Sequence, residues 1–269
     1  ILITTNRNLI KSVNRYLKQQ LNKLPKKSIA MNLTYKLNNI LFLDIETVPQ
    51  VYNFSELDSK TAKLYLHKNK YIQERDELSN EEVYERAGIF AEFGKIVCIS
   101  CGIVHHTSHG KSIRMKSFAG DDEKQLLLEF AQMINERYGG PHHILCGHNA
   151  KEFDFPFMAR RMLIHGIDLP TALDIAGKKP WEINHLDTME LWKFGDYKHY
   201  TSLELLTYIF DIPTPKDDID GSQVASVFYE EKDIDRIITY CEKDVIATIQ
   251  LVQRYRGEEL IHDDFIIST

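Results

Sequence analysis

Apolar residues run almost unbroken from Ile40 to Ile45, the pattern of a strand buried in a sheet. From Ser55 to about Glu92 the chain is charged, with Leu57, Leu64, Leu66, Ile72, Val83 and Ala87 at helical spacing, which predicts a solvated helical insertion. Lys95–His105 and Ser112–Phe118 read as two more strands, with HHTSHGK between them as the turn of a hairpin. Asp121 and Asp122 can cap a helix running to Tyr138, with Leu126, Leu127, Phe130 and Ile134 inward, and Gly139-Gly140-Pro141 stops it. A short strand, His143–Cys146, leads into GHNAKEFDFP and a helix ending near His165. Asp187 opens a further helix and Thr201 or Ser202 caps the next. The last helix runs from about Lys232 to Tyr255, with Ile234, Ile237, Ile238, Cys241, Val245 and Thr248 at helical spacing. Three strands, then helix, strand and helices, predict one mixed α/β domain.

Composition narrows the class. With 269 residues, 43% hydrophobic and 27% charged, the chain can bury a sizeable core without disulfides. Its four cysteines are too scattered for a disulfide framework, and no apolar stretch reaches the roughly 18 residues of a membrane span. A soluble, cytoplasmic protein with no membrane partner is expected. The net charge of −6 argues against a broad non-specific nucleic-acid surface, but not against an enzyme that grips a strand end. Residues 1–43 hold eight Lys or Arg and no acid, so residues 1–39 read as a basic extension. Its first 30 residues fit a transit-like segment, a translated upstream stretch foreign to the native protein, or a basic arm touching nucleic acid. The main domain is expected over residues 40–256, with 55–92 as the insertion and 257–269 as a tail.

Three blocks carry candidate chemistry. In LFLDIETVP, strand alternation sets Asp44 and Glu46 on one face, where two carboxylates repel and resist burial unless a divalent cation joins them or both face water. Hard oxygen ligands of this kind suit Mg²⁺ or Mn²⁺. In GHNAKEFDFPFMARR, Asp154 stands at a helix start, where an acid is favoured by the helix dipole alone. In TYCEKDVIAT, Tyr240 and Asp244 are four apart and share a helical face, which a surface pair would also explain.

Taken in order, Asp-x-Glu, His-Asn-x4-Asp and Tyr-x3-Asp resemble the three motifs of the DEDD exonucleases of the ribonuclease-H-like (DnaQ-like) fold. One branch of that family has His five residues before the last Asp, where this chain has Thr239. The other has Tyr four residues before it, as Tyr240 is here, so the chain is similar to the tyrosine branch. SLELLTYIFDIPTPKDDIDGSQV extends the likeness to the proofreading exonuclease domain of family B DNA polymerases. The resemblance covers about Ile40 to Val252, and a free-standing exonuclease is expected.

The resemblance implies a mixed central sheet, three antiparallel strands and then parallel ones, flanked by helices. It implies a 3′–5′ exonuclease that releases nucleoside 5′-monophosphates through two ions roughly 3.5–4 Å apart. Asp44, Glu46, Asp154 and Asp244 would hold the ions, and Tyr240 would orient the attacking water. Thr47, Val48, Asn149 and Phe153 would contact the terminal nucleotide. Single-stranded DNA in repair or editing, with replication or repair proteins as partners, is the leading expectation. RNA, or a silent binding module of the same fold, are the alternatives. Cys98-x-x-Cys101 reads as two core cysteines on opposite strand faces, and His105, His106 and His109 as residues of a solvated turn. Trp181 and Trp192 read as packing residues, His148 as a loop residue behind the ligands, and Asp187 and Asp220 as cap or turn residues.

Overall fold

The computed structural model describes residues 31–268 apart from 32, 34, 109, 197, 199 and 214–218. The basic stretch 1–30 and His109 lie outside the described residues.

A six-stranded sheet forms the centre, ordered β5-β4-β1-β2-β3-β6. Strand β1 (Ile40–Pro49) pairs antiparallel with β2 (Gly94–Thr107), and β2 with β3 (Gly110–Ala119). Strands β4 (Ile144–Gly147) and β5 (Leu186–Asp187) add parallel beside β1, and β6 (Ile266–Ser268) adds parallel beside β3. The expected mixed sheet is therefore present, and β1 lies inside it. The hairpin is longer than the pattern suggests: His105 and His106 are ladder residues opposite Ser112 and Lys111, because the turn tightens to Thr107–Gly110.

Helices cover both faces. On one, α3 (Glu123–Tyr138) and α4 (Asp154–His165) bury Leu127, Phe130, Phe155 and Met158 against Leu43, Ile45 and Ile99. Asp122 caps α3 by accepting from the Gln125 amide, and Gly166, at φ 68°, ends α4 in the left-handed conformation that glycine adopts without strain. On the other face lies the longest helix, α8 (Ile234–Tyr255), whose Val245, Ile249 and Val252 pack on Ile40, Phe42 and Cys146. Farther toward its start, Ile237 and Cys241 pack on Val48, Val97 and Cys98. Between β5 and α8 come α5 (Thr188–Lys193), α6 (Leu203–Ile209), capped by Ser202, and the short α7 (Val224–Ser226). From α7 the chain runs on into a π-helical turn, Val227–Glu231.

The insertion is helical and largely solvated, as expected, and departs from that reading only in holding a core. Helices α1 (Ser59–Arg75) and α2 (Asn80–Tyr84) enclose a small core of their own, in which Tyr65, Val83, Tyr84 and Ala87 are buried. The Tyr65 hydroxyl donates to the Val83 carbonyl at 2.5 Å, which satisfies the one polar atom that burial would otherwise orphan. Leu64, counted on its apolar face, is instead exposed. Trp181 also departs from expectation: it sits outward on a single turn, 76% exposed, with the Lys179 ammonium over its ring. Trp192 does pack, against Phe210 and Tyr255. Cys98 and Cys101 are buried on opposite faces of β2, in separate clusters. Among the described residues, no helix is long and apolar enough to cross a membrane.

One buried ion pair joins both helices of the first face to the sheet. Arg161 on α4 donates to Glu123 on α3 through Nε (2.8 Å) and Nη2 (2.5 Å), and to the Ala91 carbonyl at 2.9 Å. Glu123 also accepts from the Ile96 amide at 2.8 Å, at the start of β2, and meets His165 Nε2 at 2.7 Å. Burial raises the Glu123 pKa, but these hydrogen bonds outweigh it and hold the group below its ordinary value.

Candidate active site

Strand β1 presents Asp44 and Glu46 toward α8, between the buried Phe42 and Val48 of the same face. Opposite them β2 carries a bulge: Glu46 pairs with Cys98 but Thr47 with Ile96, so Val97 is an extra residue. Bulges re-aim side chains and recur beside active sites. Helix α4 begins at Asp154, 3% exposed, whose Oδ1 accepts from the Ile45 amide at 3.2 Å. That bond ties the start of α4 to the peptide between Asp44 and Glu46. Tyr240 and Asp244 stand one turn apart on α8, flanking Cys241.

The charges feel one another. Burial, then the neighbouring Asp154, Glu46 and Asp244, push Asp44 well above the usual carboxylate range. Burial raises Glu46 likewise, followed by Asp244, Cys98 and Asp154. Asp154 is pushed up to about 7, chiefly by burial, with Asp187 and Asp244 adding and the amides of Asp154 and Ile45 opposing. A set of buried and half-buried acids that raise one another's pKa is unfavourable as it stands, and a cation removes the conflict. Oxygen donors of this kind fit a hard divalent ion. Donor atoms of Asp44, Glu46 and Cys241 lie within 4.8 Å of one another.

Cys241 is the neighbour that sequence reasoning missed. Its thiol donates to the Asp44 carbonyl at 3.4 Å and faces Asp44 Oδ2 at 3.6 Å. Burial holds the thiol well above its ordinary pKa, so at neutral pH it stays protonated and acts as a donor. Its position three residues before Asp244 was the available signal, but the same spacing suits a core residue.

The remaining sequence-predicted residues divide. Thr47 and Phe153 line a cleft of about 860 Å³ that begins at Glu46. Asn149 lies in the turn before α4 at φ 61°, a conformation Asn tolerates, and its Oδ1 is buried without a hydrogen-bond partner among the described residues. Val48 does not reach the cleft: its side chain is fully buried among Val97, Ile219 and Val224, so the contact with substrate assigned to it is corrected to packing. His148 is held between Thr188 Oγ1 and the Thr201 carbonyl, both at 2.9 Å, away from any ligand role. Asp187 exceeds its capping expectation. It accepts from the Met189 and Glu190 amides of α5, and also from the Asn149 and Lys151 amides, so it fixes the turn that delivers Phe153 and Asp154.

A mixed sheet with β1 inside it, and buried acids contributed by β1 and α4 beneath α8, define a ribonuclease H-like exonuclease fold. Residues 89–261, well over half of the chain, match the family described as predicted 3′–5′ exonucleases related to the exonuclease domain of PolB. The chain belongs to that family. The match includes Asp154, Tyr240 and Asp244, and begins after Asp44 and Glu46.

Proposed function

We propose that this chain is a metal-dependent 3′–5′ exonuclease that hydrolyses the terminal phosphodiester of single-stranded DNA and releases nucleoside 5′-monophosphates. The observation that carries the reading is the mutual strain of Asp44, Glu46 and Asp154 in a member of this family. Asp44, Glu46, Asp154 and Asp244 are the residues that would hold two divalent ions, Mg²⁺ or Mn²⁺. Such ions supply Lewis acidity and a nucleophile at neutral pH. Tyr240 orients the attacking water through its hydroxyl, a task that needs position rather than ionisation. Phe153 stacks on the terminal base, a contact indifferent to sequence, while Thr47 and Asn149 hold the sugar. A role in repair or editing of strand ends follows from this chemistry.

The test is digestion of 5′-labelled single-stranded DNA and the matching RNA with Mg²⁺, Mn²⁺ or EDTA. Products shortening one nucleotide at a time from the 3′ end, and absent with EDTA, are expected for DNA. Preferential shortening of the RNA would reassign the substrate, and no cleavage of either strand would favour a binding module. Tyr240→Phe is expected to lower kcat by about 10²-fold with little change in KM, since only a group positioning the nucleophile is lost. Unchanged turnover would remove Tyr240 from the site.

A further inference from the structure

A separate cavity, of about 500 Å³, lies on the face of the sheet that carries α3, where the end of that helix meets β2 and β3. Asp44 and Glu46 point the other way, toward α8, so the cavity shares no residue with the acid cluster. Ile103 of β2 and Met133 and Tyr138 of α3 line it and are only partly buried, so it presents apolar and aromatic surface. The Tyr138 ring meets the His143 ring edge-on, with centroids 5.2 Å apart, which sets two flat groups together in its wall.

The charge of this space is one-sided. Arg114 and Lys116 stand two apart on β3, opposite Ile103 and Cys101, and therefore project from one face. Arg137 approaches from the last turn of α3. All three line the cavity, and no described Asp or Glu does. Among the described residues none of the three makes an ion pair, whereas Lys111, Lys151, Arg161 and Arg256 each have a carboxylate partner. Unpaired cations are ordinary on a surface; around an apolar hollow they set two conditions on a ligand. Inorganic phosphate would leave the apolar walls bare, and a neutral ring would leave the cations unanswered. A flat apolar body joined to a phosphate meets both, since ring faces stack on aromatic side chains and the Arg fork matches phosphate oxygens. The volume falls within the roughly 300–1,000 Å³ of small-ligand sites.

We infer that this cavity binds a nucleoside monophosphate, with the base against Ile103, Met133 and Tyr138 and the phosphate against Arg114, Lys116 and Arg137. It is a second site that uses neither the acids of the cluster nor a metal, so it stands apart from the exonuclease reading.

The experiment is titration calorimetry in EDTA with deoxyadenosine 5′-monophosphate, deoxyadenosine and inorganic phosphate. The nucleotide is expected to bind at least about tenfold more tightly than either fragment, by a margin over deoxyadenosine that narrows as salt rises. R114Q/K116Q/R137Q is expected to weaken the nucleotide at least about tenfold and to leave deoxyadenosine nearly unchanged. All three side chains are exposed, so their replacement leaves the core untouched, which an unaltered melting curve checks. No binding of the nucleotide, a fragment that binds as tightly, or a triple variant that binds like wild type overturns the inference. So does nucleotide binding that needs Mg²⁺ and is lost in Asp44→Asn, which would seat the nucleotide at the acid cluster instead.

Discussion

Asp44→Asn is expected to abolish 3′-end cleavage and, in the same protein freed of metal, to raise thermal stability at pH 8. Both effects have one source. Asp44 is held among Asp154, Glu46 and Asp244, so its ionised form is costly without a cation and, on the proposed mechanism, needed with one. Removing one member of such a preorganised set costs on the order of 10²–10³-fold or more in kcat. The amide keeps the shape and an acceptor for the Cys241 thiol, but carries no charge.

The pH dependence follows from the direction of the shifts. A carboxyl whose folded pKa exceeds its unfolded pKa binds more protons when folded, so stability falls as pH rises between the two values. For Asp154 that window runs from about 4, the unfolded value, up to about 7. Asp44 and Glu46 add in the same direction. Melting of metal-free wild type should therefore fall from mildly acidic to alkaline pH, more steeply than that of Asp44→Asn, and the two should converge near pH 4. Mg²⁺ or Mn²⁺ should raise the wild-type Tm and leave the variant almost unmoved. A metal-free Asp44→Asn less stable than wild type at pH 8, or cleaving like it, would refute this account of the site.

Arg161→Met should cost about 3–5 kcal/mol, because it leaves the Glu123 carboxylate buried without its cation. Both side chains are nearly inaccessible, 4% and 5% exposed, so solvent cannot take the place of the lost partner. At about 2–4 °C per kcal/mol for a chain of this size, the loss is plain in a melting curve. Replacing Glu123 by Gln as well should recover part of it, since the uncompensated charge is then gone. A loss below about 1 kcal/mol would mean that the pair is loosely held.

Much of the scaffold was legible in the sequence because it rests on long periodic segments. The apolar run of β1, the capped α3 and the long apolar stripe of α8 each extend over enough residues to declare their period. Short elements do not: β5 has two residues and β6 three, and pairing with a neighbour, not any local pattern, makes them strands. Asp44, Glu46 and Asp154 each had an ordinary reading alone and could be singled out only through the order and spacing they share with Tyr240 and Asp244, and in the structure the three are neighbours. Val48 could not be placed, since its burial depends on Ile219 and Val224, some 170 residues on. The thiol against Asp44 was hidden for the opposite reason, as a cysteine in an apolar stripe resembles any core residue. The insertion's charged surface concealed a core built from tyrosines, whose hydroxyls need partners that only the folded chain supplies.

Because β1 and α8 supply opposite sides of one charge cluster from positions nearly 200 residues apart, the cluster cannot form before α8 has been synthesised. A ribosome must release α8 before its Asp244 can close over Asp44 and Glu46, and such long-range closure comes late and slowly. Until then an emerging chain carries scattered acids and, on the proposed function, no means of cutting a strand. On the proposed function, the docking of α8 is then also the moment at which the nuclease is armed.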